Sequence, residues 1–287
     1  MMSKDSTKTT TPTLVCGNKD INLSHKVVMA ILNITPDSFY DGGRNLTESS
    51  WLNKTEVALN EGADIIDIGA ISTRPGADEV DEKEELTRLI PAIKSIIKKF
   101  PECIISVDTY RSNVAKAVIS EGALMINDIS AGTFDPLIFD VVSKENIPYI
   151  AMHILGTPRN MQVNPIYTNV TKEVVTFLKR QTAEAMKVGV KQIIWDPGFG
   201  FGKTIEHNYT LMNNLAVFKD TGYPLLVGIS RKSMIYKLLN TSPAEALNGT
   251  TVLNTIALLN GADILRVHDV REAVEAVKIV TELKKSI

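Results

Sequence analysis

Asn33, Asp67, Asp108, Asn127, His153, Asp196, Ser230 with Arg231 and Lys232, and Arg266 with His268 all stand at or just beyond the ends of short apolar runs. Brought together, Asp108, Asn127 and Asp196 would suit a flat heterocycle that offers adjacent N–H groups. A carboxylate accepts two such bonds from an amino-pyrimidine edge, and an amide donates and accepts beside it. Lys232, Arg266 and His268 add positive charge for an anion such as phosphate. Each residue also has a plainer reading: the two aspartates can cap the helices that follow, and the cations can form an ion-pair network. One acidic residue at such a place is ordinary. Nearly every run ending this way implies one shared site.

Two stretches sharpen this. VMAILNITPDSFYDGGR, from Val28 to Arg44, is an apolar run that ends in Asn33, Thr35, Asp37, Ser38 and Asp41. The run Asp196 to Thr204, DPGFGFGKT, invites a nucleotide-loop reading that its spacing excludes. Pro197 stands where a Walker A loop needs its first glycine, and Lys203 stands where a dinucleotide fingerprint needs its third. Its glycines let the backbone pass close to a ligand, with Phe201 either packed on that ligand or part of the core.

The elements that must position these residues follow from the apolar pattern. Near-continuous apolar runs at 27–34, 64–69, 104–109, 124–129, 149–153, 192–196, 225–230 and 264–268 read as parallel strands covered on both faces. Helical patterns lie between them, clearest at Glu82 to Phe100, where Pro91 predicts a kink or a break. Gly62, Gly122, Gly189 and Gly261 sit where helices should stop and turn back into a sheet. Eight βα units predict an α/β fold, a (β/α)8 TIM barrel, whose strand C-terminal ends carry the site. The segment Thr13 to Leu23, turning at Gly17-Asn18, reads as an N-terminal hairpin that plugs the barrel's other end.

With 287 residues, 44% of them hydrophobic, the chain can bury a core of this size. A formal charge of -2 gives no cationic excess for nucleic acid or an anionic membrane. No run reaches the roughly 18 apolar residues of a membrane span. Residues 1–13 read as a disordered tail and 14–287 as one domain. Cys16 and Cys103 lack metal-ligand spacing and suit a reducing compartment, so a cytoplasmic protein is expected.

At this point a resemblance becomes specific. LNITPDSFYDGG, DIGAISTRPGA, SVDT, INDIS, MH, DPGFGFGK, GISRKS and RVHDV resemble, in order, the motifs of the dihydropteroate synthase family, over Val28 to Val270. The resemblance implies a transferase joining p-aminobenzoate to dihydropterin pyrophosphate with Mg²⁺, in a pterin-binding barrel that forms a homodimer. It implies that Asp108, Asn127, Met152, Asp196, Phe201 and Lys232 hold the pterin. Asn33 would meet Mg²⁺, with Asp41 closing over it, while Asn33, Arg266 and His268 would bind the pyrophosphate. Phe39, Thr73, Arg74, Pro75 and Ser233 would build the p-aminobenzoate pocket. Asp41, Lys232, Arg266 and His268 would then serve the chemistry, and the loops 37–44 and 71–78 would open and close over it. The chain departs from the pattern at Ala70 and Ile71, where relatives often have glycine and an acidic residue. Two rival readings are the methyltetrahydrofolate-binding module of a methyltransferase and a non-catalytic pterin-binding protein.

Overall fold

The computed structural model describes residues 13–35, 48–71 and 80–286. β1 (Thr13–Cys16) and β2 (Lys19–Asn22) form an antiparallel hairpin. Gly17 at its tip has φ +65°, the positive value that a two-residue hairpin turn needs at its first central position. Eight parallel strands follow: β3 (Val27–Asn33), β4 (Ile65–Gly69), β5 (Ile104–Asp108), β6 (Met125–Asp128), β7 (Tyr149–Met152), β8 (Ile193–Asp196), β9 (Leu226–Val227) and β10 (Ile264–Val267). Their order is β8-β7-β6-β5-β4-β3-β10-β9, and a parallel bridge between Trp195 and Leu225 joins the two ends of the row. The connections carry α1 (Glu48–Glu61), α2 (Glu82–Lys99), α3 (Ser112–Ser120), α4 (Ile138–Glu145), α5 (Val170–Val188), α6 (Ile205–Asn213), α7 (Ala216–Lys219), α8 (Ser233–Tyr236) and α9 (Leu247–Leu259), with α10 (Val270–Lys285) after the last strand. This is the (β/α)8 barrel with its N-terminal hairpin.

The two-residue period of each strand sorts its side chains. Val28, Ala30 and Leu32 of β3, Ile66 and Ile68 of β4, Ile105 and Val107 of β5, and Leu265 and Val267 of β10 belong to the large cluster packed under the helices. The alternate residues face the barrel interior, whose lower part is apolar: Met29, Ile65, Ile104, Met125, Ile150, Ile194, Leu226 and Ile264 cluster with Leu14, Cys16, Ile21 and Leu23 of the hairpin. The hairpin is therefore the plug of the N-terminal end. Two residues further along, five of these strands turn polar, with Asp67, Ser106, Asn127, Asp196 and Arg266.

α2 shows why a helix forms where the pattern places it. The Asp81 carboxylate accepts the Glu84 N–H at 2.8 Å, acidic residues fill the first turn, and Lys98 and Lys99 close the last. Leu89, Ile93 and Ile96 on its inner face are fully buried. The expected break at Pro91 does not occur: Pro91 lies on the exposed face of one continuous helix, held by that inner face on both sides. Gly62, Gly122, Gly189 and Gly261 have φ between +99° and +105° and end their helices as expected. The strand expected at 225–230 is the poorest match, since β9 keeps only Leu226 and Val227. The chain leaves the sheet at Gly228, where a Cβ would stand 3.7 Å from Arg266 Cβ, so the Arg266 side chain passes over bare backbone. Among the described residues no helix is long and apolar enough to cross a membrane.

Leu14→Ala should destabilise the fold by about 2–5 kcal/mol, the cost of a cavity under a buried side chain. Urea unfolding should show a lower midpoint with an unchanged m-value.

Candidate active site

Strand register sets the site's floor. Asn33, Gly69, Asp108 and Asn127 are paired neighbours at one level across β3, β4, β5 and β6, and Met152 pairs with Asp196 across β7 and β8. A Cβ on Gly69 would lie 3.5 Å from Asn33 Oδ1 and 3.6 Å from Asp108 Cβ. Bare backbone there keeps the space between the amide and the carboxylate open.

Arg266 crosses this space from β10. Its Nε donates to Asp67 Oδ2 at 2.6 Å and its Nη2 to Asp108 Oδ2 at 3.0 Å, while Asn127 Nδ2 donates to the same Asp67 oxygen at 3.1 Å. The ion-pair reading is thus correct for Arg266. Asp67, noted at a strand end but given no role, is its fully buried partner. Burial pushes the Asp108 carboxyl up to about 7, with Asp67, Glu85 and Asp128 adding to the shift and Arg266 opposing it. Neither aspartate caps a helix. α3 has Arg111 at its N-cap without a side-chain cap bond, and α6 is capped by Thr204. Asp196 Oδ1 instead accepts the Gly198 N–H at 2.7 Å, and Oδ2 lies on the Gly228 side, towards Arg266.

The run after β8 splits its two aromatic rings. Phe199 is fully buried core, whereas Phe201 is half-buried with Lys232 Nζ 4.7 Å from its ring centre. Lys232 also donates to the Phe199 carbonyl. Burial and the Arg266 charge lower its pKa to about 8 against the pull of Asp196 and Asp108. Met152 is buried beside this run, close to Gly198. Ser233 follows Lys232 as the half-buried first residue of α8. Lys203, which entered the sequence reading only as the residue that breaks a nucleotide fingerprint, is buried with its amine 2.9 Å from His153 Nδ1.

His268 is exposed, its backbone N–H and Nδ1 lying 3.2 and 3.0 Å from the buried Ser230 hydroxyl. Arg231 does not join the site. At φ +55° it turns away to a bidentate pair with Asp269 and to the carbonyls of Pro243 and Ala244. Asp128, next to Asn127, faces the opposite way and holds its turn through Ser130, Gly132 and the Tyr149 hydroxyl. Ala70 is buried in the core, and its carbonyl accepts from Arg88 Nη1 at 2.9 Å. Phe39, Asp41, Thr73, Arg74 and Pro75 lie outside the described residues, as do residues 37–44 and 72–78 of the two loops and residues 1–12.

A barrel whose strand ends gather two aspartates, an asparagine and a lysine beside a half-buried arginine is the architecture of a pterin-binding enzyme, and residues 29–268 match that family. The dihydropteroate synthase of Haemophilus influenzae is 44% identical over 268 residues, 93% of this chain and 97% of the relative. The Yersinia pestis dihydropteroate synthase, solved with a sulfonamide drug, superposes with a TM-score of 0.91 at 39% identity, covering 96% of this chain and 100% of that one. The Xanthomonas albilineans enzyme, solved with 4-aminobenzoic acid, gives 0.90 at 36% identity over 96% and 99%. The chain belongs to the dihydropteroate synthase family, transferases of folate biosynthesis.

Arg266→Met should cost about 3–5 kcal/mol of stability at pH 8, because it leaves the buried Asp67 and the half-buried Asp108 without their cation. The deficit should shrink as pH falls from 8 towards about 7 and stay at its smaller value below that, where Asp108 carries its proton in the folded state of both proteins. Chemical denaturation of both at pH 8 and pH 5.5 checks the size and the sign.

Proposed function

We propose that this chain condenses p-aminobenzoate with (7,8-dihydropterin-6-yl)methyl diphosphate to give 7,8-dihydropteroate and pyrophosphate. The observation that carries the reading is the gathering of Asp108, Asn127, Asp196 and Lys232 at the C-terminal ends of the strands, with Asp196 and Asp108 both acting on the Lys232 charge, in a chain of this family. Asp108 and Asp196 accept the pterin N–H groups, Asn127 donates and accepts beside them, and Met152, Phe201 and Lys232 lie along the ring. Arg266 and His268 receive the diphosphate with Asn33. Ser233 borders the p-aminobenzoate pocket, together with Phe39, Thr73, Arg74 and Pro75.

Departure of pyrophosphate leaves positive charge next to the pterin ring, so the protein needs neither a strong nucleophile nor a strong base. The carboxylates of Asp108 and Asp196 stabilise the cation through the ring's N–H groups, Arg266 and His268 stabilise the leaving anion, and the aniline nitrogen then attacks. Asn33 suits Mg²⁺: its amide is a hard oxygen donor beside the opening at Gly69. Among the described residues no three His, Cys, Asp or Glu side chains converge to form an all-protein cage. Such an ion, held by Asn33 and the diphosphate, would neutralise charge on the leaving group, and the family resemblance assigns Asp41 to close over it.

We further propose that the enzyme works in the cytoplasm as a homodimer. Both cysteines are free, buried thiols, and a chain that uses no disulfide suits a reducing compartment. Exposed Val252 and Leu259 on α9, with Ile279 and Leu283 on α10, supply apolar surface where the Lys284 amine ties α10 to the Leu258 carbonyl. A methyltransferase module or a silent binding protein would not need the Arg266 and His268 anion site. The 4-aminobenzoic acid complex of the X. albilineans relative also favours the synthase.

Turnover should depend on Mg²⁺: product formation should stop in excess chelator and return on adding the metal, and full turnover in chelator would remove the metal assignment. Asp196→Asn should keep the Gly198 bond through its carbonyl oxygen and present an amino group where the pterin needs an acceptor. Pterin affinity should then fall by about 1–3 kcal/mol, read by calorimetry on the folded variant.

A further inference from the structure

Five successive carbonyls of the run after β8 each accept a hydrogen bond from a side chain. Gly198 takes one from Lys203 Nζ at 2.9 Å, Phe199 one from Lys232 Nζ and Gly200 one from Gln162 Nε2. Phe201 takes a second from Lys203 Nζ at 3.0 Å and Gly202 one from the Tyr167 hydroxyl at 2.8 Å. Gly198, Gly200 and Gly202 have φ of +69°, +82° and +65°. A segment with so many glycines has little conformational preference of its own, so outside bonds must select its shape. Its surroundings are close: a Cβ on Gly198 would lie 1.9 Å from the His153 carbonyl oxygen, and one on Gly202 would lie 2.6 Å from Leu155.

Lys203 supplies two of the five bonds, and its amine lies 2.9 Å from His153 Nδ1. As an ammonium Lys203 has three donors, which the two carbonyls and an accepting His153 Nδ1 would engage in full. Burial lowers the Lys203 pKa well below the ordinary lysine value, with Lys232 adding to the shift and Asp196 opposing it. Burial and the Lys203 charge likewise hold His153 neutral. No uncharged side chain converges three donors on one point, and the planar guanidinium fork of arginine has the wrong shape.

We infer that Lys203, braced by His153, is a positioning residue for pterin binding: it shapes residues 198–202 so that the Phe199 carbonyl holds the Lys232 ammonium over the Phe201 ring. The inference rests on the reading above that Lys232 and Phe201 hold the pterin. Lys203 itself touches none of the reacting atoms. Its effect reaches the ligand through two groups, a carbonyl that aims a lysine and a ring that lies beneath that lysine.

The test uses the full chain with Mg²⁺ and both substrates. Lys203→Met should raise the KM and Kd for the dihydropterin diphosphate about tenfold or more, while the KM for p-aminobenzoate stays within about twofold. A purely structural role would lower thermal stability without splitting the two constants. Unchanged pterin affinity in the folded variant, or an equal rise in both constants, would overturn the inference. If Lys203→Met does not fold, His153→Asn and His153→Leu decide. The amide keeps an acceptor near the Nδ1 position and should restore the pterin affinity that the leucine loses, whereas equal pterin constants for the two would overturn the inference. Asp196→Asn, measured alongside, separates the two levels. Loss of pterin affinity there with none in the Lys203 or His153 variants rejects only the positioning role, and retention there rejects the pterin site itself.

Discussion

Every strand of the barrel is buried on both faces, and a single residue step decides which face a side chain meets. Ile66 and Ile68 pack under the helices, while Ile65, Asp67 and Gly69 face the interior. Because that alternation cannot slip by one residue without exchanging core for site, the fold and the site share one register. Height then separates the interior into two zones. The lower inward residues of the strands are apolar and are sealed by the hairpin, and one inward step above them stand Asp67, Ser106, Asn127, Asp196 and Arg266.

A polar zone inside a barrel is costly unless its charges are paired. Here Arg266 holds Asp67 and Asp108 together, and Asn127 shares the Asp67 oxygen. The network also joins the two halves of the proposed site, since Asp108 belongs to the pterin side and Arg266 to the diphosphate side. A pterin that takes Asp108 as an acceptor competes with Arg266 Nη2 for it, which would leave that donor for the anion.

Glycines make the geometry feasible by absence of volume. Gly69 clears the floor between Asn33 and Asp108, and Gly228 lets the Arg266 side chain pass. Both strand-end cations next to Ser230 come from one short turn, yet they serve different ends. Arg231 is committed to Asp269 and two carbonyls, and Lys232 turns inward to the Phe199 carbonyl. Their separation follows from the left-handed backbone at Arg231.

The amino-acid sequence alone determined the elements and which described residues stand at the strands' C-terminal ends. Apolar runs and helix-stopping glycines define eight βα units, and the polar residue closing each run marks the mouth, because period and composition are local properties of the chain. Tertiary structure decided what those residues do to one another. Nothing local distinguishes Arg231 from Lys232, or tells that Asp67, 199 residues from Arg266, is its partner. Lys203 looked like an interruption in a glycine run, and only the converging carbonyls and His153 give it a task. The chain likewise continued helically through Pro91 because a buried inner face on both sides outweighed one lost hydrogen bond. Pairings of this kind depend on distances between residues remote in sequence, which only the closed barrel sets.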